Sequence, residues 1–293
     1  MRDQLRHVTV VGVGLLGGSA ALALKACDPS IRIAGVGRRR ESLQMALDAG
    51  AIDTAHLEAP PAAAQSDLVI LATPVGAFAR YLRQIAPHLR RGAAVTDVGS
   101  TKAAVVRQAD RLLGPGGPFV GSHPMAGSEQ KGVSFARADL FVGATCIVTP
   151  GAKTPPRLVG RIERFWQMLG MRTLRMSPAE HDRAVAAISH LPHVLASLLM
   201  LLPDSNSLQA AATGFRDATR LAGGDPEMWR DILLTNRRAI LGTLDRFEES
   251  LMQLRDLIDL SDAKGIERLL AAAKKRRADT IFKQPQDRRV AAE

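Results

Sequence analysis

Through the first 176 positions, apolar residues come in short blocks bounded by Gly, Pro, Asp or Ser. "VTVV" (8–11), "IRIAGVG" (31–37), "DLVILATP" (67–74), "GAAVTDVGS" (92–100), "PFVGSHP" (118–124), "GATCIVTP" (143–150) and "MRTLRM" (171–176) read as strands. Helical stretches lie between several of them. "GVGLLGGSAALALKA" opens as a tight turn into an alanine-rich helix, "ESLQMALDAG" ends in glycine, and "PPRLVGRIERFWQMLG" starts on proline. The alternation predicts a parallel sheet with right-handed crossovers.

Near Ser177 the pattern changes. From "SPAEHDRAVAAISHLPHVLASLLMLL" onward, apolar positions recur with helical spacing and no strand-like block intervenes. The expectation is an α/β Rossmann-type domain over residues 1–176, an all-helical domain over 177–282, and a mobile basic tail over 283–293. The helical stripes are richer than that length buries alone, which predicts pairing with a second subunit in a homodimer.

A length of 293 residues suits two cores better than one. No run approaches an uninterrupted membrane span, and the N-terminus enters a strand without a signal-peptide pattern; a cytoplasmic protein is expected, without membrane partners. Cys27 and Cys146 lack a redox or metal spacing and read as reduced and buried. The net charge of +10 raises nucleic acid as a partner, yet aromatic residues are few (Trp 2, Tyr 1, Phe 8) and the charges are spread along helical faces. A solvated basic surface that attracts anionic metabolites is the reading taken, with no nucleic-acid partner.

Gly12, Gly14 and Gly17 form G-x-G-x-x-G directly after a strand and at a helix start, the context of a dinucleotide-binding turn. The acid that usually holds the adenosine ribose is missing after the second strand. Gly37 stands in its place, followed by Arg38, Arg39 and Arg40. A 2′-phosphate fits there, so NADP is predicted over NAD, with Arg38 the main contact, Arg39 beside it and Ser42 a helper; NAD stays possible.

"SHPMAGSEQKG" (122–132) is too polar for core and too irregular for a helix, and reads as a shaped loop that aims His123, with Pro124 and Gly127 fixing its turn. Ser100 lies beyond a strand's carboxyl end, the ligand side of such a sheet, and a serine there could equally cap the helix begun by "TKAAVVRQ". Asp97 reads as a polar strand end. His190 and His193, three apart around Pro192, tempt a metal reading, but no cysteine lies near and no metal is expected.

"GVGLLGGS", "ATPV", "DVGSTK", "GSHPMAGSEQKG", "HDRAVAAISHLPH" and "GFRDATRLAGGDPEMWRDI", in this order, resemble the prephenate/arogenate dehydrogenase family of tyrosine biosynthesis over roughly residues 8–260. The resemblance implies oxidative decarboxylation of a cyclohexadienol. Hydride passes from the hydroxyl-bearing carbon to the nicotinamide, the hydroxyl gives up its proton, and the ring carboxylate leaves as carbon dioxide.

By the same resemblance, His123 is the base on the ring hydroxyl and Ser100 orients it. Arg220 clamps a carboxylate, with Arg216 a weaker rival. His193 contacts substrate or supports the pocket while His190 packs, and Glu129 and Asp217 neutralise or gate the arginines. Leu15, Leu16, Thr73 and Pro74 join the glycines around the cofactor. Trp229 reads as a core anchor or, second, a pocket wall, and Gln130 and Lys131 as aids to side-chain discrimination. Prephenate and arogenate stay open, with a lean to arogenate. Two other readings stay open: another NADP-dependent dehydrogenase of the hydroxyacid type, and a non-catalytic NADP-binding regulator.

Overall fold

The structure is a computed structural model and describes residues 5–127 and 130–281. Eight strands form one sheet: β1 His7–Val11, β2 Arg32–Val36, β3 Thr54–His56, β4 Leu68–Leu71, β5 Ala94–Asp97, β6 Phe119–Pro124, β7 Thr145–Thr149 and β8 Arg172–Arg175. Their order is β3-β2-β1-β4-β5-β6-β7-β8.

Strand residues alternate between two cores. Leu68 and Ile70 of β4 face one side, where α1 (Leu15–Cys27), α2 (Arg40–Asp48) and α6 (Pro156–Met168) pack with Leu24, Leu43, Phe165 and Trp166. Val69 and Leu71 face the other, against α3 (Ala59–Ala63), α4 (Phe78–Ile85) and α5 (Ala103–Leu113) with Ala63, Phe78, Leu82 and Val106. Burial on both faces explains why these strands read as unbroken apolar runs.

The sheet departs from the expected all-parallel form at one place, where β6 and β7 run antiparallel. Among the described residues, their connection contains only a short 3-10 turn, Val133–Phe135, and no helix crosses a face of the sheet to reverse the direction. The three-residue edge strand β3 and the helices α3 and α4 have no counterpart in the sequence reading. Cys27 also differs from expectation. It ends α1 exposed, away from the Ala20–Ala21–Leu24 face that meets the sheet, whereas Cys146 is buried.

After β8 the described residues fold into helices and their connections. α7 (Pro178–Val185) starts with a capping box: Ser177 Oγ accepts Glu180 N–H at 3.2 Å and Glu180 accepts Ser177 N–H at 2.8 Å, an arrangement worth ~1 kcal/mol. One π-type turn, Ala186–His190, joins it to α8 (Leu191–Met200). The run Pro178–Met200 is long and apolar enough to cross a membrane, but His181, Asp182 and His190 within it are buried against the sheet domain and its neighbours. α9 (Ser205–Gln209), α10 (Thr213–Thr219), α11 (Pro226–Thr235), α12 (Arg237–Asp259) and α13 (Ala263–Ile281) follow. The chain forms two compact units, residues 1–240 and 241–293. The first holds the sheet and α1–α11; the second holds most of α12 and all of α13.

Candidate active site

The turn after β1 is shaped by its glycines. Gly12 has φ +98°, and a Cβ there would lie 2.7 Å from the Ala72 carbonyl oxygen and 2.8 Å from the Thr73 side chain; one on Gly17 would lie 2.1 Å from the Gly12 oxygen. Gly14, the residue capping α1, has nothing among the described residues within 4 Å of its would-be Cβ. The first and third glycines are therefore fixed by close packing, and the second leaves room for a ligand against the backbone. No side chain among the described residues caps α1, which leaves its first N–H groups to a pyrophosphate. Leu15 and Leu16 open the helix half-buried, and Thr73 and Pro74 border the turn where β4 ends.

Arg38 and Arg39 follow β2 on the exposed surface, with Arg39 capping α2. Neither they nor Arg40 forms an ion pair among the described residues. The residues present fit a dinucleotide with or without a 2′-phosphate.

His123 is placed by the strand read over residues 118–124, at the point where that strand runs into the "SHPMAGSEQKG" loop. It is the penultimate residue of β6, opposite Ile147 of β7, and is 8% exposed. Its Nδ1 lies 2.8 Å from His181 Nε2, and His181 Nδ1 lies 2.8 Å from Asp182 Oδ1. Asp182 accepts the backbone N–H groups of Lys102 at 2.7 Å and Ala103 at 2.9 Å. α5 is thus capped by a carboxylate about 80 residues away in sequence and not by Ser100, which sits half-buried in the turn before it.

Beneath this row, Lys102 is ion-paired with Asp97, both side chains 0% exposed. Asp97 also accepts Ser122 N–H at 3.0 Å and Gly99 N–H at 2.9 Å, so it is no mere polar strand end. Ser122 Oγ donates to the Asp97 carbonyl at 2.5 Å and accepts Trp166 Nε1–H at 2.9 Å.

Burial dominates the electrostatics. Desolvation, then the charges of His181 and Lys102, hold the His123 imidazole well below its usual range. Desolvation likewise lowers His181, against the upward pull of Asp182. For Asp97, burial pushes the carboxyl up, against Lys102 and the backbone N–H groups. Both shifts favour the neutral imidazole, which carries a free lone pair.

The row continues through the helices. Asn236 Nδ2 donates to the Asp182 carbonyl at 2.8 Å and lies 3.1 Å from His190 Nδ1, while His190 Nε2 is buried without a partner among the described residues. His190 is 1% exposed and meets Trp229 edge to face, and burial pushes its pKa down to about 4. His193 stacks flat on Trp229, with ring centroids 3.5 Å apart, and Gly224 lies so close that a Cβ would meet Trp229 Nε1 at 2.4 Å. Trp229 is half-buried, so it is not the core anchor expected; its indole is occupied by two histidine rings.

Arg220 is exposed at the start of the 3-10 turn Arg220–Gly223, which packs on α8. Arg216 and Asp217 are exposed on α10, and none of the three is ion-paired among the described residues. Lys131 is paired with Asp225, at the start of α11. Glu129 lies outside the described residues, as does the tail from 283. His181, Asp182, Lys102 and Asn236 are the residues that sequence reasoning missed.

The model of the prephenate dehydrogenase nucleotide-binding domain matches residues 20–175, and that of the prephenate dehydrogenase dimerization domain matches residues 177–272. A prephenate dehydrogenase of Bacillus subtilis is 38% identical over 94% of this chain and 76% of its own length. The crystal structure of prephenate dehydrogenase from A. aeolicus in complex with hydroxyphenyl propionate and NAD+ superposes with TM-score 0.88 at 33% identity, covering 94% of this chain and 98% of that one. The Synechocystis arogenate dehydrogenase structure gives 0.81 at 32% identity, covering 93% and 99%. With a glycine-built dinucleotide turn, a buried histidine row and both halves of the chain matched, this protein belongs to the prephenate dehydrogenase family of NAD-dependent dehydrogenases.

Proposed function

We propose that the chain oxidises and decarboxylates a cyclohexadienol of the prephenate/arogenate class, with NADP preferred, as a step towards tyrosine. The observation that carries this reading is the almost fully buried His123 at the end of β6, its pKa held down by burial, in the same unit as the open Gly14 turn. A dinucleotide bound on Gly12, Gly14, Gly17, Leu15, Leu16, Thr73 and Pro74 supplies the hydride acceptor.

His123 takes the proton of the ring hydroxyl at one imidazole nitrogen. As the ring carboxylate leaves, the C–C bond's electron pair enters the ring and the resulting phenolate oxygen regains a proton. Arg220, unpaired among the described residues, grips a substrate carboxylate with two parallel hydrogen bonds. His193, fixed on Trp229, supports the pocket beside it. Ser100 orients His123 and the hydroxyl; Asp217 and Glu129 gate the arginine. Aromatisation drives the reaction, so the protein mainly supplies position and a base.

NADP preference rests on Arg38 and Arg39, exposed after a strand that ends in glycine where the ribose-binding acid would stand. Charge-assisted hydrogen bonds of ~1.5–3 kcal/mol predict that Arg38→Ala weakens NADP by roughly 10- to 150-fold with little effect on NAD, measured by fluorescence titration. Equal losses for both would end the phosphate assignment.

The decisive test is an initial-rate assay of prephenate or arogenate with NADP or NAD, followed at the nicotinamide absorbance. Turnover should appear, fastest with NADP, and the better substrate settles the side-chain preference. Binding of dinucleotide without turnover of either substrate would favour a non-catalytic protein.

A further inference from the structure

The row behind His123 carries a direction. Asp182 accepts from two backbone N–H groups, at 2.7 and 2.9 Å, and these bonds with His181 hold its carboxyl below the usual range against burial. A carboxylate can only accept, so the proton between Asp182 and His181 resides on His181 Nδ1. Burial keeps His181 neutral, and a neutral imidazole has one N–H. His181 Nε2 is therefore a bare acceptor, and the partner 2.8 Å away, His123 Nδ1, must donate to it. With its proton on Nδ1, His123 keeps a lone pair on Nε2.

We propose that Asp182 and His181 form a positioning relay that locks His123 in the Nδ1–H tautomer, so that Nε2 faces the chemistry as a proton acceptor. The proposal rests on the reading of His123 as the base. Without His181 the ring is free to carry its proton on Nε2, where it would donate to a hydroxyl oxygen and could not take the hydroxyl's proton. The two rings meet edge to face, with centroids 5.1 Å apart and planes at 63°, a packing that also limits rotation of His123 about its side-chain bonds. Asp182 performs a second task at the same time, capping α5 just beyond the buried Lys102–Asp97 pair, so the relay is anchored to the sheet domain.

The direct test is long-range 1H–15N correlation NMR on histidine-labelled wild-type protein at neutral pH. His123 should show a pyrrole-type Nδ1 and a pyridine-type Nε2, and His181 the same. A protonated His123 Nε2 overturns the relay. Kinetics give the second test. His181→Leu should lower kcat at least ~10-fold, toward the ~10² or more lost with the base itself, while KM and dinucleotide affinity stay near wild type. His181→Gln, whose amide oxygen can accept from His123 Nδ1, should recover most of the rate. Wild-type kcat in His181→Leu, or no recovery in the glutamine variant, overturns the proposal. If wild type turns over neither substrate, the proposed function fails, but the NMR experiment still decides the tautomer.

Discussion

At the scale of single residues, His123 differs from an ordinary histidine in solvent because it has been emptied of charge by its surroundings. A base that is neutral well into acid accepts a proton without first losing one. His123→Asn keeps the residue polar and of similar size but removes the basic nitrogen. Turnover should fall ~10²-fold or more with dinucleotide affinity unchanged; near-normal turnover would remove His123 from the mechanism.

The same depression has a consequence for folding. His123, His181, His190 and His193 all have pKa values lowered by burial from 6.5, His190 to about 4. Between the folded and unfolded values the unfolded chain binds more protons. Stability is therefore fully present above about pH 6.5 and is lost as pH falls towards about 4. Urea unfolding should show a falling midpoint on moving from about pH 7.5 to about pH 5. A His190→Asn variant should show a shallower fall; an unchanged slope would mean that His190 is protonated in the fold.

The sequence made His123, the glycine turn and the arginine cluster legible because each carries its chemistry within a few consecutive residues. His181 and Asp182 stand in a recognisable motif and still showed no role, since their partners lie 58 and about 80 positions away. Asp97 and Lys102 likewise read as a strand end and a helix start until both are found fully buried.

At the scale of elements, the site depends on how α5 and α7 meet the end of β5. Asp182 of α7 caps α5, and Lys102, just before α5, returns to Asp97 at the end of β5. A buried pair broken on one side leaves a charge without a partner, at a cost of ~3–5 kcal/mol, whereas replacing both sides with apolar groups is often close to neutral. Lys102→Met should accordingly lower unfolding stability by ~3–5 kcal/mol, and adding Asp97→Leu should recover part of that loss. Additive losses in the double variant would mean that the two groups are held by their other neighbours and not by each other.

Most of these elements were legible from the period of their apolar residues. The exceptions follow from physics that periodicity does not encode. β3 is too short and too exposed to show an alternation, and the antiparallel turn of β7 is decided by the absence of a crossover helix among the described residues. The start of α5 is set by a residue from another helix.

At the scale of the whole molecule, the helical region keeps more apolar surface than a solitary chain has reason to show. In the first unit, Leu198, Leu199, Met200, Leu201 and Leu202 are exposed, the last two by nearly four-fifths, at 79% and 78%. In the second unit, Leu251, Met252 and Ile258 of α12, Leu260 just after it and Leu270 of α13 are exposed. Exposed apolar side chains in such number mark an interface, and they fall within the segment matched by the family's dimerization domain. A second copy of the chain is the occupant expected, because a twofold interface lets one patch meet itself. Sedimentation equilibrium at low micromolar concentration should give twice 31.4 kDa. Leu251→Glu combined with Met252→Glu places two carboxylates on that surface and should shift the mass to a single chain with the histidine row of the first unit intact. A single-chain mass for the wild type across the concentration range would mean that the exposed leucines serve another partner.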